Sequence, residues 1–172
     1  MTIFQTERLK VRDFRLEEAS DLAQWAGTQE VAPMMASLTV PWSVDAVKTW
    51  MGAGFQNALG FRAAICLPDD QMIGFLGIGG VPVSCAYAIN PVHQGRGYTV
   101  EAMSGLLAFC FENLNLQEVV ADHFVDNPVS GVILTRLGFE FSHTGTGESL
   151  ARSAPAPSLN YLLTKEMFEA TE

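Results

Sequence analysis

Three apolar runs stand in succession: "GFRAAICL" (60–67), "QMIGFLGIGG" (71–80) and "SCAYAIN" (84–90). They constrain the fold more than any other feature. "PDD" separates the first pair, which is tight-turn chemistry, and "GGVPV" separates the second. Short runs joined by short turns predict an antiparallel meander of three strands. Directly after them, Val100, Met103, Leu106, Leu107, Cys110, Phe111 and Leu114 recur at helical spacing over four turns. A meander running straight into a long amphipathic helix requires a sheet with a helix laid on it.

The flanking segments extend this pattern. "ERLKVRDF" alternates, with Leu9 and Val11 on one face, and predicts a strand. "RLEEASDLAQWAG" predicts a helix closed by Gly27, and 28–42 a stretch that is mostly loop. "SVDAVKTWMGAGF" predicts a second helix capped by Ser43. Beyond the long helix, "EVVADHFV" has the β-branched and aromatic content of a buried strand. "NPVSGVILTRLGF" carries its own punctuation: Asn127 as a cap, Pro128 at the first helical position, Gly138 at the end. "FEFSH" predicts a strand, "TGTGESLARSAPAPS" a long polar loop of expected mobility, and "LNYLLT" a closing strand. No repeat or long linker divides the 172 residues, so one domain over 1–172 is expected.

Composition excludes some classes. A formal net charge of −9 argues against nucleic acid, which asks for a basic face, and is compatible with a cationic substrate. No stretch approaches a membrane span or a signal peptide. The three cysteines, Cys66, Cys85 and Cys110, are scattered through apolar segments. That suits a reduced, cytoplasmic protein with buried thiols, although a catalytic cysteine stays open. No His/Cys/Asp cluster has metal-ligand spacing, so no metal is expected.

The junction between meander and helix is "NPVHQGRGYTVEAM". The first turn of a helix has free N–H groups and the positive end of the dipole. Glycines there let a phosphate approach the backbone closely. Gly95 and Gly97, with Arg96 between them, make sense if a phosphorylated ligand lies across the N–H groups of Gln94 to Thr99, Tyr98 included. The Walker ending and the third glycine of the dinucleotide fingerprint are both absent. Taken alone, the loop is equally a helix-capping turn with no ligand.

Together, "TERLKVRDF", "YAINPVHQGRGYTVEAM" and "DNPVSGVILTRLGFEF" resemble, in this order, three segments of the GNAT superfamily of acyl-coenzyme A-dependent N-acetyltransferases. The nearest flavour is the bacterial branch that acetylates ribosomal-protein N-termini; relatives acting on aminoglycosides and small amines share the signature. The resemblance implies an α+β GNAT fold. Its mixed, mostly antiparallel central sheet would have about seven strands flanked by about four helices, with a splayed strand pair binding the cofactor. It implies acetyl-coenzyme A as acyl donor, with pantetheine against free backbone groups around Ile89, Asn90 and Val92. The pyrophosphate would lie on Gln94 through Thr99; Asn127 would hold the pantetheine arm or the incoming amine region, with Ser130 nearby at the start of its helix. The acceptor would be an amine, either a peptide N-terminus or a small molecule, attacked directly in a ternary complex. It would lie between walls formed by 28–42 and 144–157, with Met34, Met35, Trp42 and Trp50 nearby or in the core. A homodimer stays open.

This sequence departs from the family pattern at three places. Val92 replaces a frequent Gln or Arg, where the backbone matters most. Leu134 stands where many members keep an acidic tyrosine. Ser84 and Ala86 replace the glutamate and glycine of the ribosomal branch. Tyr87 and His123 are the candidate replacements in catalysis, the alternatives being a core aromatic and a structural histidine. Glu101 is expected to serve the helix dipole, and His93 to be exposed. The missing groups leave a second reading: a weak or inactive GNAT-like module that binds acyl-coenzyme A as a sensor or scaffold.

Overall fold

The computed structural model describes residues 1–53 and 60–171. Their elements run β1 (Thr2–Gln5), β2 (Lys10–Arg12), α1 (Ala19–Ala26), α2 (Val44–Gly52), β3 (Phe61–Cys66), β4 (Met72–Gly79) and β5 (Ser84–Ile89). Then come α3 (Tyr98–Asn113), β6 (Glu118–Phe124), α4 (Pro128–Arg136), β7 (Glu140–Gly147), β8 (Ala156–Thr164) and α5 (Lys165–Glu169). The sheet has eight strands in the order β1-β2-β3-β4-β5-β6-β8-β7. There are thus eight strands where about seven were expected, and among the described residues five α-helices where about four were.

The extra strand comes from the N-terminus. The alternation of Leu9 and Val11 belongs to β2 alone. Thr6 to Leu9 form a tight turn, closed by the Thr6 N–H on the Leu9 carbonyl at 2.9 Å, and β1 precedes it. The meander is as expected: β3, β4 and β5 pair antiparallel, with Leu76 opposite Tyr87 and Gly74 opposite Ile89. Ser43 caps α2 by accepting from the Ala46 N–H at 3.2 Å; residues 54 and 55 of that predicted helix lie outside the described residues.

Side chains alternate across the sheet and build two cores. Helix α3 buries Met103, Leu106, Leu107 and Phe111 with Ile65, Ile73, Ile89 and Val119 on one face. Full burial of such side chains stabilises by about 1.5–3 kcal/mol each, so the helix is firmly fixed to the sheet. On the other face α1 and α2 cover Ala64, Cys66 and Phe75, and Trp42 and Trp50 belong to this layer. The Trp50 ring lies 4.9 Å from that of Phe75 and 5.3 Å from that of Trp42.

The late polar segment is not a free loop. Its first four residues extend β7. The Ser149 hydroxyl donates to the Met35 carbonyl at 2.7 Å, the Leu150 N–H to Ala36 at 3.0 Å, and Arg152 Nε to Pro33 at 2.7 Å. Composition could not show these partners, because they lie more than 110 residues away in sequence. Among the described residues, no helix is long and apolar enough to cross a membrane.

Candidate active site

Strands β5 and β6 run parallel but pair at a single position, Ser84 with Val120. The Val120 N–H donates to the Val83 carbonyl at 2.9 Å, and beyond that point the strands separate. On the opposite side of β5, the Asn90 N–H donates to the Ile73 carbonyl of β4 at 2.8 Å. Alternation between these two fixed bonds turns the backbone groups of Tyr87 and Ile89 toward the gap. A cleft of about 510 Å³ occupies it, lined among others by Tyr87, Ile89, Gln94, Gly95, Thr99, Asp122, His123, Asn127 and Ser130.

The expected free backbone groups need correction. The Asn90 N–H is spent on β4. The Val92 N–H donates to Asn90 Oδ1 at 3.3 Å, and Gln94 Nε2 donates to the Ile89 carbonyl at 3.0 Å. The Gln94 N–H goes to Pro91 at 3.2 Å. A short turn at Pro91–His93, capped by Asn90, consumes the N–H groups of Val92 and Gln94. The open ones lie just after it: among the described residues, no protein acceptor takes the N–H groups of Gly95, Arg96, Gly97, Tyr98 or Thr99.

Gly95 and Gly97 have φ of +75° and +79°. A side chain in that left-handed region would cost about 1–2 kcal/mol per residue. The fold accepts two such positions, either side of Arg96, to aim N–H groups outward from the start of α3, an anion-binding concavity. A Cβ on Gly95 would meet nothing within 4 Å. The space above the loop is therefore open, and the loop fits a coenzyme A pyrophosphate.

Of the two candidate catalytic groups, Tyr87 sits on the α3/α4 face of β5. Its hydroxyl lies 2.7 Å from Ser130 Oγ in the first turn of α4. Burial pushes the phenol well above its ordinary value, against the Ser130 hydrogen bond, so it stays protonated at neutral pH. His123 is only 7% exposed. Its Nδ1 is 2.8 Å from the Phe124 carbonyl and its Nε2 3.2 Å from the Tyr161 hydroxyl. An N–H at Nδ1 then donates to the carbonyl, and Nε2 accepts from tyrosine. Gly131 of α4 packs so closely that a Cβ there would stand 2.7 Å from Nε2. Asn127 lines the cleft but makes no side-chain cap for α4, contrary to expectation, so its amide is not spent on the helix.

The opposite face holds what sequence reasoning missed. Asp122 projects from β6 toward the α1/α2 face, two residues past the Ser84–Val120 pair and so level with Ala86. It is open to the cleft, yet the surrounding walls desolvate its carboxyl and raise its pKa, with His123 acting the other way. Glu30, Met34 and Met35 from the 28–42 segment and Glu148 after β7 complete that wall. Asp122 was invisible in the sequence because a carboxylate in an alternating strand marks a solvent face unless the neighbouring strand is known to diverge.

The cysteines are ruled out by burial, which pushes the thiols up to about 11 for Cys66 and about 12 for Cys85 and Cys110. None supplies a thiolate near neutral pH. Among the described residues no group of His, Cys, Asp or Glu is placed to hold a metal ion.

Residues 8–140 match the family described as acetyltransferase (GNAT) domain. The chain is 26% identical over 149 residues to the uncharacterized N-acetyltransferase p20 of Bacillus licheniformis, covering 81% of this chain and 83% of that one. Among solved structures, RimJ of Mycobacterium smegmatis in complex with CoA-disulfide superposes with a TM-score of 0.79 at 20% identity, over 92% of this chain and 82% of that one. Spermidine N-acetyltransferase of Vibrio cholerae, in complex with CoA and spermine, gives 0.79 at 15% identity, over 94% and 98%. These last two show the shared fold, and they do not separate the ribosomal branch from the polyamine one. The family match spans most of the chain and includes the splayed strands and the glycine loop: the chain belongs to the GNAT acetyltransferases and is an acetyl-coenzyme A-dependent N-acetyltransferase.

Proposed function

We propose that the acceptor is a cationic primary amine, a peptide N-terminus or a small-molecule amine, and that it attacks the donor directly in a ternary complex. One observation carries this reading: a single cleft passes between β5 and β6 and joins the glycine loop on one side to a wall with Glu30, Asp122 and Glu148 on the other. A donor threaded through the gap and an acceptor entering from the acidic side would meet at the divergence point. Holding both in contact supplies much of the acceleration.

Each residue then has a task. The N–H groups of Gly95 to Thr99 hold the pyrophosphate, and the gap-facing backbone of Tyr87 and Ile89 holds pantetheine as a neighbouring strand would. Asn127 offers its amide to the same arm. Bound acetyl-coenzyme A supplies an acetyl thioester, whose C–S bond breaks as the amine N–C bond forms. Asp122, its basicity raised by the surrounding walls, takes one proton of the incoming ammonium to free the attacking lone pair. Tyr87, neutral and fixed by Ser130, gives a proton to the departing sulfur. The second proton, shed by the nitrogen once the N–C bond has formed, leaves through the cleft to solvent, from which the Tyr87 phenol is restored. His123 has both ring nitrogens engaged within the protein, so we assign it to supporting Tyr161 and α4.

The test is thermal shift with acetyl-coenzyme A followed by free-thiol release across peptide N-termini, polyamines and aminoglycosides. Stabilisation plus turnover on at least one cationic amine is expected. Stabilisation with no turnover on any amine would instead favour a binding module.

A further inference from the structure

The "TERL" turn, Thr6 to Leu9, lies outside the cleft and beside the glycine loop. Glu101, in the first turn of α3, inserts its carboxylate into that turn. Glu101 Oε1 accepts from the Thr6 hydroxyl at 2.6 Å and from the Arg8 N–H at 2.7 Å, and Oε2 accepts from Arg8 Nε at 2.6 Å. The Arg8 guanidinium then reaches onward. Its Nη1 donates to the Arg96 carbonyl at 3.1 Å, its carbon lies 4.9 Å from the centroid of the Tyr98 ring, and Nη2 stands 3.4 Å from where a Cβ of Gly97 would be. Gly105 lets α3 approach this hairpin, since a Cβ there would clash with Phe4 and Thr6 at 2.7 and 2.9 Å.

From this geometry we infer that Arg8 is a positioning residue for the donor site. With Glu101 it holds Arg96, Gly97 and Tyr98 in the conformation that presents the pyrophosphate-binding N–H groups. Arg8 is 47% exposed and Glu101 17%, and such a pair contributes little to global stability. Its geometry is nevertheless specific. One planar guanidinium spans the helix carboxylate, a loop carbonyl and an aromatic face at once, which a lysine ammonium cannot do. A loop with two glycines has much backbone freedom to lose on binding, and an external brace removes that freedom in advance.

The inference rests on coenzyme A binding by the wild type, and its test separates the two. Coenzyme A affinity is measured by calorimetry for wild type, Arg8→Ala and Arg8→Lys. The kcat/KM for acetyl-coenzyme A is then compared with that for S-acetylpantetheine, a donor lacking the pyrophosphate. Arg8→Ala should weaken coenzyme A about tenfold, with Arg8→Lys recovering little of it. The ratio of kcat/KM for the two donors should fall by a similar factor in both variants. Unchanged coenzyme A affinity in Arg8→Ala would overturn the inference, as would an equal loss with both donors, which marks general damage. If Arg8→Ala fails to fold, Arg8→Lys decides alone: full recovery of affinity shows that charge suffices and overturns the brace. A wild type that does not bind coenzyme A would overturn this inference and the donor assignment together.

Discussion

Asp122 and Tyr87 face opposite sides of the sheet, and burial shifts both in the same direction. The phenol is neutral at pH 7 with or without its shift, which makes it a weaker acid and leaves proton delivery to depend on its position beside Ser130. For the carboxylate the shift raises basicity at a cost to folding. A carboxyl whose folded pKa lies above its unfolded value favours the folded state at low pH and opposes it once ionised. Asp122→Asn should therefore raise Tm at pH 7. That gain should shrink as the pH falls through the folded pKa and disappear below about pH 3, where both folded and unfolded Asp122 are protonated. The same variant should lower kcat by about 10²-fold or more and remove the acidic limb of the pH–rate profile. Tyr87→Phe should lower kcat and leave that limb in place. A stabilised Asp122→Asn with an unchanged pH profile would remove Asp122 from the chemistry.

At the scale of elements, the glycine loop and its helix were the most legible part of the sequence. Local rules govern both: a 3.6-residue stripe over 100–114, and glycines at a helix start. The structure confirmed the helix, gave Gly95 and Gly97 positive φ, and moved the open donors one residue downstream, because Asn90 organises a turn that absorbs Gln94. What the sequence could not display was long-range. The "TERL" alternation disguised a turn whose partner, Glu101, lies 93 residues beyond Arg8. The polar segment after β7 had no visible reason to be anchored until Ser149 and Arg152 met the 31–36 backbone. Two glycine substitutions isolate the loop's conformational demand. A Cβ has free space at both Gly95 and Gly52, but only Gly95 has positive φ. Gly95→Ala should cost about 1–2 kcal/mol and lower Tm by about 2–8 °C, while Gly52→Ala, on a helical backbone, should not lower it. Calorimetry should also show a loss of coenzyme A affinity of about tenfold or more for Gly95→Ala, since its side chain would cover the N–H groups. Equal behaviour of the two variants would mean that the loop does not need its left-handed turn.

For the whole molecule, the decisive quantity is charge. The chain carries −9, and the cleft wall proposed to receive the acceptor has Glu30, Asp122 and Glu148. A cationic amine is therefore drawn toward the cleft, whereas the donor, a phosphorylated anion, approaches a protein of its own sign. The donor must overcome that field locally, where Arg96 and the α3 dipole stand, so its binding is short-range. Acceptor capture has no such opposition and extends over the range that salt controls. Raising ionic strength from about 0.01 to 0.15 M shortens the screening length from about 30 to 8 Å. The kcat/KM for a polyamine or other cationic acceptor should fall over that interval, more steeply for a dication than for a monocation. The KM for acetyl-coenzyme A should stay level or decrease, since screening removes a repulsion. Steady-state rates with each substrate varied in turn across the salt series would separate these slopes. Slopes of the same sign for donor and acceptor would show that the acidic wall does not recruit the amine.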